Sequence, residues 1–218
     1  MAAEEGRDAI EAKLGQAAAR LAAKGLLKPG DTLSERIPER NEFVSTDLPF
    51  EEGIRMKFRW TTLSDTPSGL HHRIYLARPD VGAIAAAWLK WTGALARLDL
   101  SLPPVFDEQV RHLGAEVRRV PTHATDGEAT AALSSGANAY ALDDMSLCFG
   151  MGLERLLLNI EILEKCAESF LLAHCAARQV GPIPWIVRFI AGGRLKKDQK
   201  DAAARHLRGE RSIMKTSY

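Results

Sequence analysis

Six histidines, His71, His72, His112, His123, His174 and His206, are the side chains of this chain best suited to acid–base work near neutrality or to binding a transition metal. None of them forms an HxH or HxxxH pair. His71 and His72 are adjacent, so on a helix they diverge by about 100°. That arrangement suits a general acid/base better than a chelate. Asp143-Asp144 could hold Mg²⁺ with one or two carboxylates and water, or serve only the backbone of a tight turn. Asp144 joins His71 and His72 as a candidate catalytic residue, acting directly or through Mg²⁺. Cys148, Cys166 and Cys175 are odd in number and lack a CxxC, which excludes a disulfide framework and a zinc ribbon. Cys166 and Cys175 lie in an apolar helical stretch, where Cys behaves as a small hydrophobe. There is no GxSxG, no P-loop and no GxGxxG following a strand.

The elements that must position these groups alternate in type. Residues 3–26 read as an amphipathic helix through Ile10, Leu14, Ala18, Leu21 and Ala22, ended by Gly25 and Pro29-Gly30. Strand-like pieces follow at 32–37, 42–46 and 55–62; the last alternates Met56, Phe58 and Trp60 with Lys57 and Arg59. Pro67 opens a helix through Ala77. Val81–Ala87 is a continuous small apolar run, the pattern of a buried strand. Helices are expected at 89–98, 106–113 and 127–135. Strands are expected at 116–120, 137–142 and 146–149, the last two joined at Asp143-Asp144. Residues 150–177 form the longest expected helix. Tyr75 is expected to pack at a helix end with its hydroxyl at the surface. Helices covering one sheet predict a single α/β domain.

The chain has 218 residues, 46% hydrophobic and 26% charged, with a formal net charge of +1. That fits one well-filled core and argues against a protein built around a nucleic-acid backbone. Charge is nonetheless segregated. Residues 179–218 hold nine Lys/Arg against three Asp/Glu, a local net of +6, leaving −5 on residues 1–178. This separates a body at 1–178 from a basic tail at 179–218, helical over 194–211, which could meet an acidic surface within or between subunits. No apolar run reaches the length of a membrane span. The N-terminal residues carry acids where a secretory signal carries bases. The expected location is cytoplasmic.

The order of several local strings resembles the class II aldolase/adducin-head family from about Ile10 to Ala177. The opening helix ending in KGLLKPGDTLSERIP is similar to its first helix, glycine turn and GN-hydrophobic-S-x-R segment. TPSGLHHRIYLARPDVGAIAAA is similar to the helix leading into its metal strand. GANAYALDDMSLCFGMGLERLLLNIEILEKCAE is similar to its later metal turn and long C-terminal helix. The resemblance implies a three-layer αβα fold around a central, mainly antiparallel sheet, often assembled as a fourfold tetramer. It also implies three His on a divalent metal, usually zinc, that stabilises an enediolate while a Glu moves protons. Ser34 and Arg36 fall at positions near the ligand pocket, where Arg36 could hold an anion bidentately or pair with a nearby acid.

The departures from that pattern are concentrated at the chemistry. Ala86 and Trp88 stand where the two strand His belong, and neither has a lone pair for zinc. Asp144-Met145 stand for the third His and its glycine. The proton-moving Glu falls on Pro67, and a one-residue shift brings only Thr66 or Ser68. Asp31-Thr32 replace Gly-Asn, and Asp31 there disfavours a phosphate. The expectation is a class II aldolase-like protein without the zinc triad and the Glu, a structural, interaction or regulatory subunit with no bound cofactor. It would assemble with itself or with an active paralogue. The alternative is a lyase, decarboxylase or isomerase reusing the cleft on a small carboxylated or hydroxylated compound. There Ser34, Arg36, Thr66 and Trp88 would line a site for a small anion.

Overall fold

A computed structural model describes residues 5–49, 55–120, 133, 135–142, 145–176 and 178–213. In chain order the elements are α1 (Arg7–Ala23), β1 (Thr32–Ile37), β2 (Glu42–Asp47), β3 (Phe58–Thr62), α2 (Gly69–Ala77), β4 (Ala83–Ala87), α3 (Lys90–Arg97), α4 (Asp107–His112), β5 (Arg118–Arg119), β6 (Ala139–Ala141), β7 (Ser146–Gly150), α5 (Leu153–Cys175) and α6 (Trp185–Leu207). A 3₁₀ turn at Pro38–Arg40 joins β1 to β2. The strands form one sheet in the order β3-β2-β1-β4-β7-β6-β5. Every pairing is antiparallel except β5 with β6.

The period of two along β4 divides the core. Ala83, Ala85 and Ala87 join one apolar cluster with Leu33 and Ile37 of β1 and the buried stripes of α1 and α5. Ile84 and Ala86 face the other side and join Phe43, Ile74, Tyr75, Leu147 and Phe149. All five β4 residues are buried, which explains a strand written in alanine and isoleucine: both faces are covered. This is the three-layer αβα arrangement with a mainly antiparallel sheet.

Two glycines set how closely the layers meet. A Cβ at Gly82 would lie 2.3 Å from the Met151 carbonyl oxygen, and one at Gly150 2.3 Å from the Leu156 amide nitrogen. The turn into α5 therefore sits directly on the ends of β4 and β7, and the Gly82 amide donates to the Gly150 carbonyl at 2.8 Å.

Most expected elements are present with trimmed ends, since terminal residues lack partners. The third strand begins at Phe58 rather than Arg55, and the strand expected at 116–120 shrinks to a two-residue β5. Residues 127–132 and 134 of the helix expected at 127–135, and the turn at Asp143-Asp144, lie outside the described residues. The larger difference is α6. It starts at Trp185, nine residues before the expected start at Arg194, and equals α5 in length at 23 residues. Pro184 caps its N-terminus with extended backbone, and the helix runs through Gly192-Gly193, ahead of the expected start. Ala191, Leu195, Ala202 and His206 are buried along one side of it, and that side lies on α4 and the 3₁₀ turn. Tertiary packing overrides the weak propensity of the glycines here.

Candidate functional site

Thr32, Ser34 and Arg36 share one face of β1, as alternate residues of a strand must. His71 and Tyr75 stand one helical turn apart on α2 and share the face turned toward them. The two stripes interlock. His71 Nε2 lies 3.0 Å from Thr32 Oγ1, and His71 Nδ1 lies 2.7 Å from Ser34 Oγ. Ser34 Oγ lies 2.8 Å from the Tyr75 hydroxyl. Thr32, His71, Ser34 and Tyr75 thus form one hydrogen-bonded chain in which both imidazole nitrogens are engaged by hydroxyls.

Burial decides its protonation. It pushes the His71 imidazole down to about 4 and raises the Tyr75 phenol, against the smaller lowering effects of Ser34 and Arg36. At neutral pH every member is uncharged. A neutral imidazole donates through one nitrogen and accepts through the other, so the chain can be polarised in either direction without creating a charge.

His72, the other histidine of the pair, lies outside this chain. Its Nδ1 accepts from the Ser68 amide at 3.2 Å, leaving Nε2–H to donate to the Leu63 carbonyl at 3.2 Å. Its ring packs against Phe43 at 5.5 Å. His72 fastens the start of α2 to the end of β3. Tyr75 also differs from expectation: it is 1% exposed, so its hydroxyl is a buried partner of Ser34.

Arg36 closes the far end. One of its Nη atoms donates to the Tyr75 carbonyl and, at 3.3 Å, to the Arg78 carbonyl, and its guanidinium lies 4.9 Å over the Tyr75 ring. It binds backbone oxygens at the end of α2 rather than the acid expected as its partner. The buried acid of this region, Asp80, belongs instead to Arg78, through contacts of 2.7 and 2.8 Å.

Ala86 and Trp88 lie at the C-terminal end of β4, beside Thr32, which pairs with Ala86. Ala86 is buried and Trp88 is 38% exposed. Asp31, 2% exposed, accepts from the Trp88 amide at 3.0 Å and the Lys28 amide at 2.7 Å. Burial raises its carboxyl while these amides lower it. Asp31 therefore ties the glycine turn to the end of β4, a role hidden in the sequence because both partners are backbone groups. Thr66 is exposed in the loop before α2 and does not enter the network. Asp144 lies outside the described residues, as does His123.

The other histidines are scattered. His112 accepts from Arg155 at 2.6 Å, and burial and that cation push it down to about 4. His174 stacks on Phe170, and His206 donates to the Pro79 carbonyl at 2.7 Å. Among the described residues no three His, Cys, Asp or Glu converge as a metal cage. Ala86 and Trp88 offer zinc no donor atom, and both nitrogens of His71 are already hydrogen-bonded. The described residues do not fit a zinc ion. Ser34, Arg36 and His71 are brought together; His72, Thr66 and Trp88 are not part of their network. Thr32 was missed as a member, although its place two residues before Ser34 on a strand was the available signal.

No protein-family profile matches the chain, and no curated protein matches it in sequence. Solved structures do. An L-fuculose 1-phosphate aldolase superposes with a TM-score of 0.73 at 20% identity, covering 90% of this chain and all of the other. L-fuculose 1-phosphate aldolase from Glaciozyma antarctica PI12 gives 0.67 at 21% identity, covering 98% and 97%. An aldolase II superfamily protein from Pseudomonas syringae gives 0.64 at 17% identity, covering 96% and 98%. The sheet, its flanking helices and these near end-to-end superpositions establish that the chain has the class II aldolase fold.

Proposed function

We propose that this chain uses the class II aldolase fold without its metal chemistry, as a non-catalytic structural, interaction or regulatory subunit that assembles with copies of itself or with an active relative. One observation carries the reading: the chain of hydroxyls and imidazole between β1 and α2 is self-satisfied. Thr32, His71, Ser34 and Tyr75 use their polar atoms on one another, while the end of β4 presents alanine and an indole. A catalytic site keeps an open coordination position or a free base. The apolar outer side of α6 supports assembly, with Trp185 68% and Phe189 71% exposed beside Ile186 and Ile190.

The test is turnover. Purified protein is incubated with L-fuculose 1-phosphate, the substrate in the name of two of the solved relatives, with and without added zinc. The expected aldol cleavage equals that of protein-free buffer in both cases. Zinc-dependent cleavage abolished by His71→Ala would overturn the proposal.

A further inference from the structure

A cavity of about 210 Å³ opens at the Arg36 end of β1, away from Thr32 and His71. It lies between the ends of β1 and β4, the first turn of α5, the last turns of α6, and residues 211–213. The charges around it divide into those already paired and those left over. Asp198 is held by Arg111 at 2.6 Å, Asp201 by Arg205 at 3.4 Å, and Arg211 by Glu39 at 2.8 Å and Glu5 at 2.9 Å.

Glu154, exposed on the first turn of α5, also lines the cavity and has no ion-pair partner among the described residues. Three buried features remain. Glu35 is 4% exposed; one carboxylate oxygen lies 3.9 Å from Lys13 Nζ, and the other, Oε2, has no hydrogen-bond partner among the described residues. Arg36 is 9% exposed, and its Nε likewise has none. Arg155 spends one Nη on neutral His112 and pairs with no carboxylate among the described residues. Beside them α5 begins at Gly152 with no side-chain cap, and residues 152–155 line the cavity, which puts uncapped amides and the positive end of a helix dipole next to it. Two buried groups with unmet hydrogen bonds, one acceptor and one donor, are costly in a folded chain unless something enters to meet them.

We propose that this cavity is a binding site for a small hydroxylated anion, whose carboxylate or phosphate oxygens meet Arg36, Arg155 and the first amides of α5 while a hydroxyl donates to Glu35. Arg supplies the charge-assisted contacts suited to such oxyanions. Glu35 accounts for the hydroxyl, since its unpartnered oxygen needs a donor and a bare anion offers none. Ser212, which donates to the Met151 carbonyl, and Arg211, clamped to Glu5 and Glu39, hold the C-terminal segment across the opening. The site touches the His71 network only through Arg36, which also holds the Tyr75 carbonyl, and it stands whether or not the fold has kept any catalysis.

The test is a titration of the full chain followed by amide chemical shifts, using glycerate, glycerol 3-phosphate, propionate and glycerol. Glycerate and glycerol 3-phosphate are expected to shift the amides of residues 152–155 and 212 and to leave Thr32 and Ser34 unmoved; the tighter of the two identifies the head group. Propionate, lacking hydroxyls, should bind about tenfold more weakly than glycerate, and glycerol should not bind. Glu35→Gln should shrink that preference to about threefold, and Arg155→Gln should weaken both carboxylates by about tenfold. No shift at residues 152–155 by about 10 mM, equal binding of glycerate and propionate, or shifts centred on Thr32 would each overturn the proposal. Should either variant fail to fold, the wild-type shift map and the glycerate-to-propionate ratio decide it alone.

Discussion

His71 is a histidine between two hydroxyls, and its surroundings make it a base that folding keeps empty. In the unfolded chain it titrates near 6.5, and in the fold near 4. Between those values the unfolded state binds more protons, so stability rises with pH across the window and levels off above it. The loss on going from pH 7.5 to pH 5 is about 2 kcal/mol from this residue. His112, pushed down to a similar value, adds to the wild-type slope, so a comparison is needed. Denaturant unfolding at the two pH values should show His71→Gln losing about 2 kcal/mol less than wild type; identical losses would mean that His71 takes up its proton in the fold as readily as in the unfolded chain. Part of this was legible in the sequence. Ser34 and Arg36 stand two apart on a strand, and His71 was marked as a candidate general acid/base on the adjoining helix. Which histidine of the pair would join them was not, because adjacent residues on a helix differ only in direction, and direction depends on how α2 is laid on the sheet.

At the scale of elements, the junction of β4, β7 and α5 is the tightest part of the fold. Backbone packs on backbone there, so no side chain can yield to make room. Gly150→Ala should destabilise the protein by about 3 kcal/mol or more, because its Cβ would meet the Leu156 nitrogen at 2.3 Å. Thermal unfolding of this variant against Gly181→Ala, a position with open space around it, measures the difference; equal melting temperatures would contradict the close approach. The elements themselves were readable where one period dominates: the α1 stripe, the apolar run of β4 and the α5 helix all appear. The start of α6 was not. Gly-Pro-Ile-Pro-Trp read as a turn-rich bridge and the helix was expected only from Arg194, whereas α4 supplies the packing surface that carries the helix back through Gly192-Gly193.

For the whole molecule, the fold leaves one helix half-dressed. The inner side of α6 is buried on the body, while its first two turns present Trp185, Ile186, Phe189 and Ile190 outward. Beyond them, Arg194, Lys196, Lys197 and Lys200 carry the positive charge that the sequence segregates into residues 179–218. Sedimentation velocity should show a species larger than 23.9 kDa, and Trp185→Glu with Phe189→Glu should return it to a monomer that still unfolds cooperatively. A wild-type monomer would remove assembly from the account. The overall fold could be inferred from the order of its strings, since each keeps the glycines, prolines and apolar spacing its element needs. The site could be inferred in part, since Ser34, Arg36 and His71 were named from the sequence, but not as a connected unit. Residues that merely satisfy one another leave no motif, and Thr32, His71, Ser34 and Tyr75 become a unit only when β1 and α2 are brought together.

The central claim is that the polar face of this fold holds hydroxyls and a neutral imidazole in place of a metal. Elemental mass spectrometry of untagged protein purified without chelator tests it most directly. The account predicts less than about 0.1 transition-metal ion per chain, since a structural or catalytic zinc site would survive purification at near-unit occupancy. About one ion per chain, lost together with His71→Ala, would contradict it and place His71 in a coordination sphere instead of between Thr32 and Ser34.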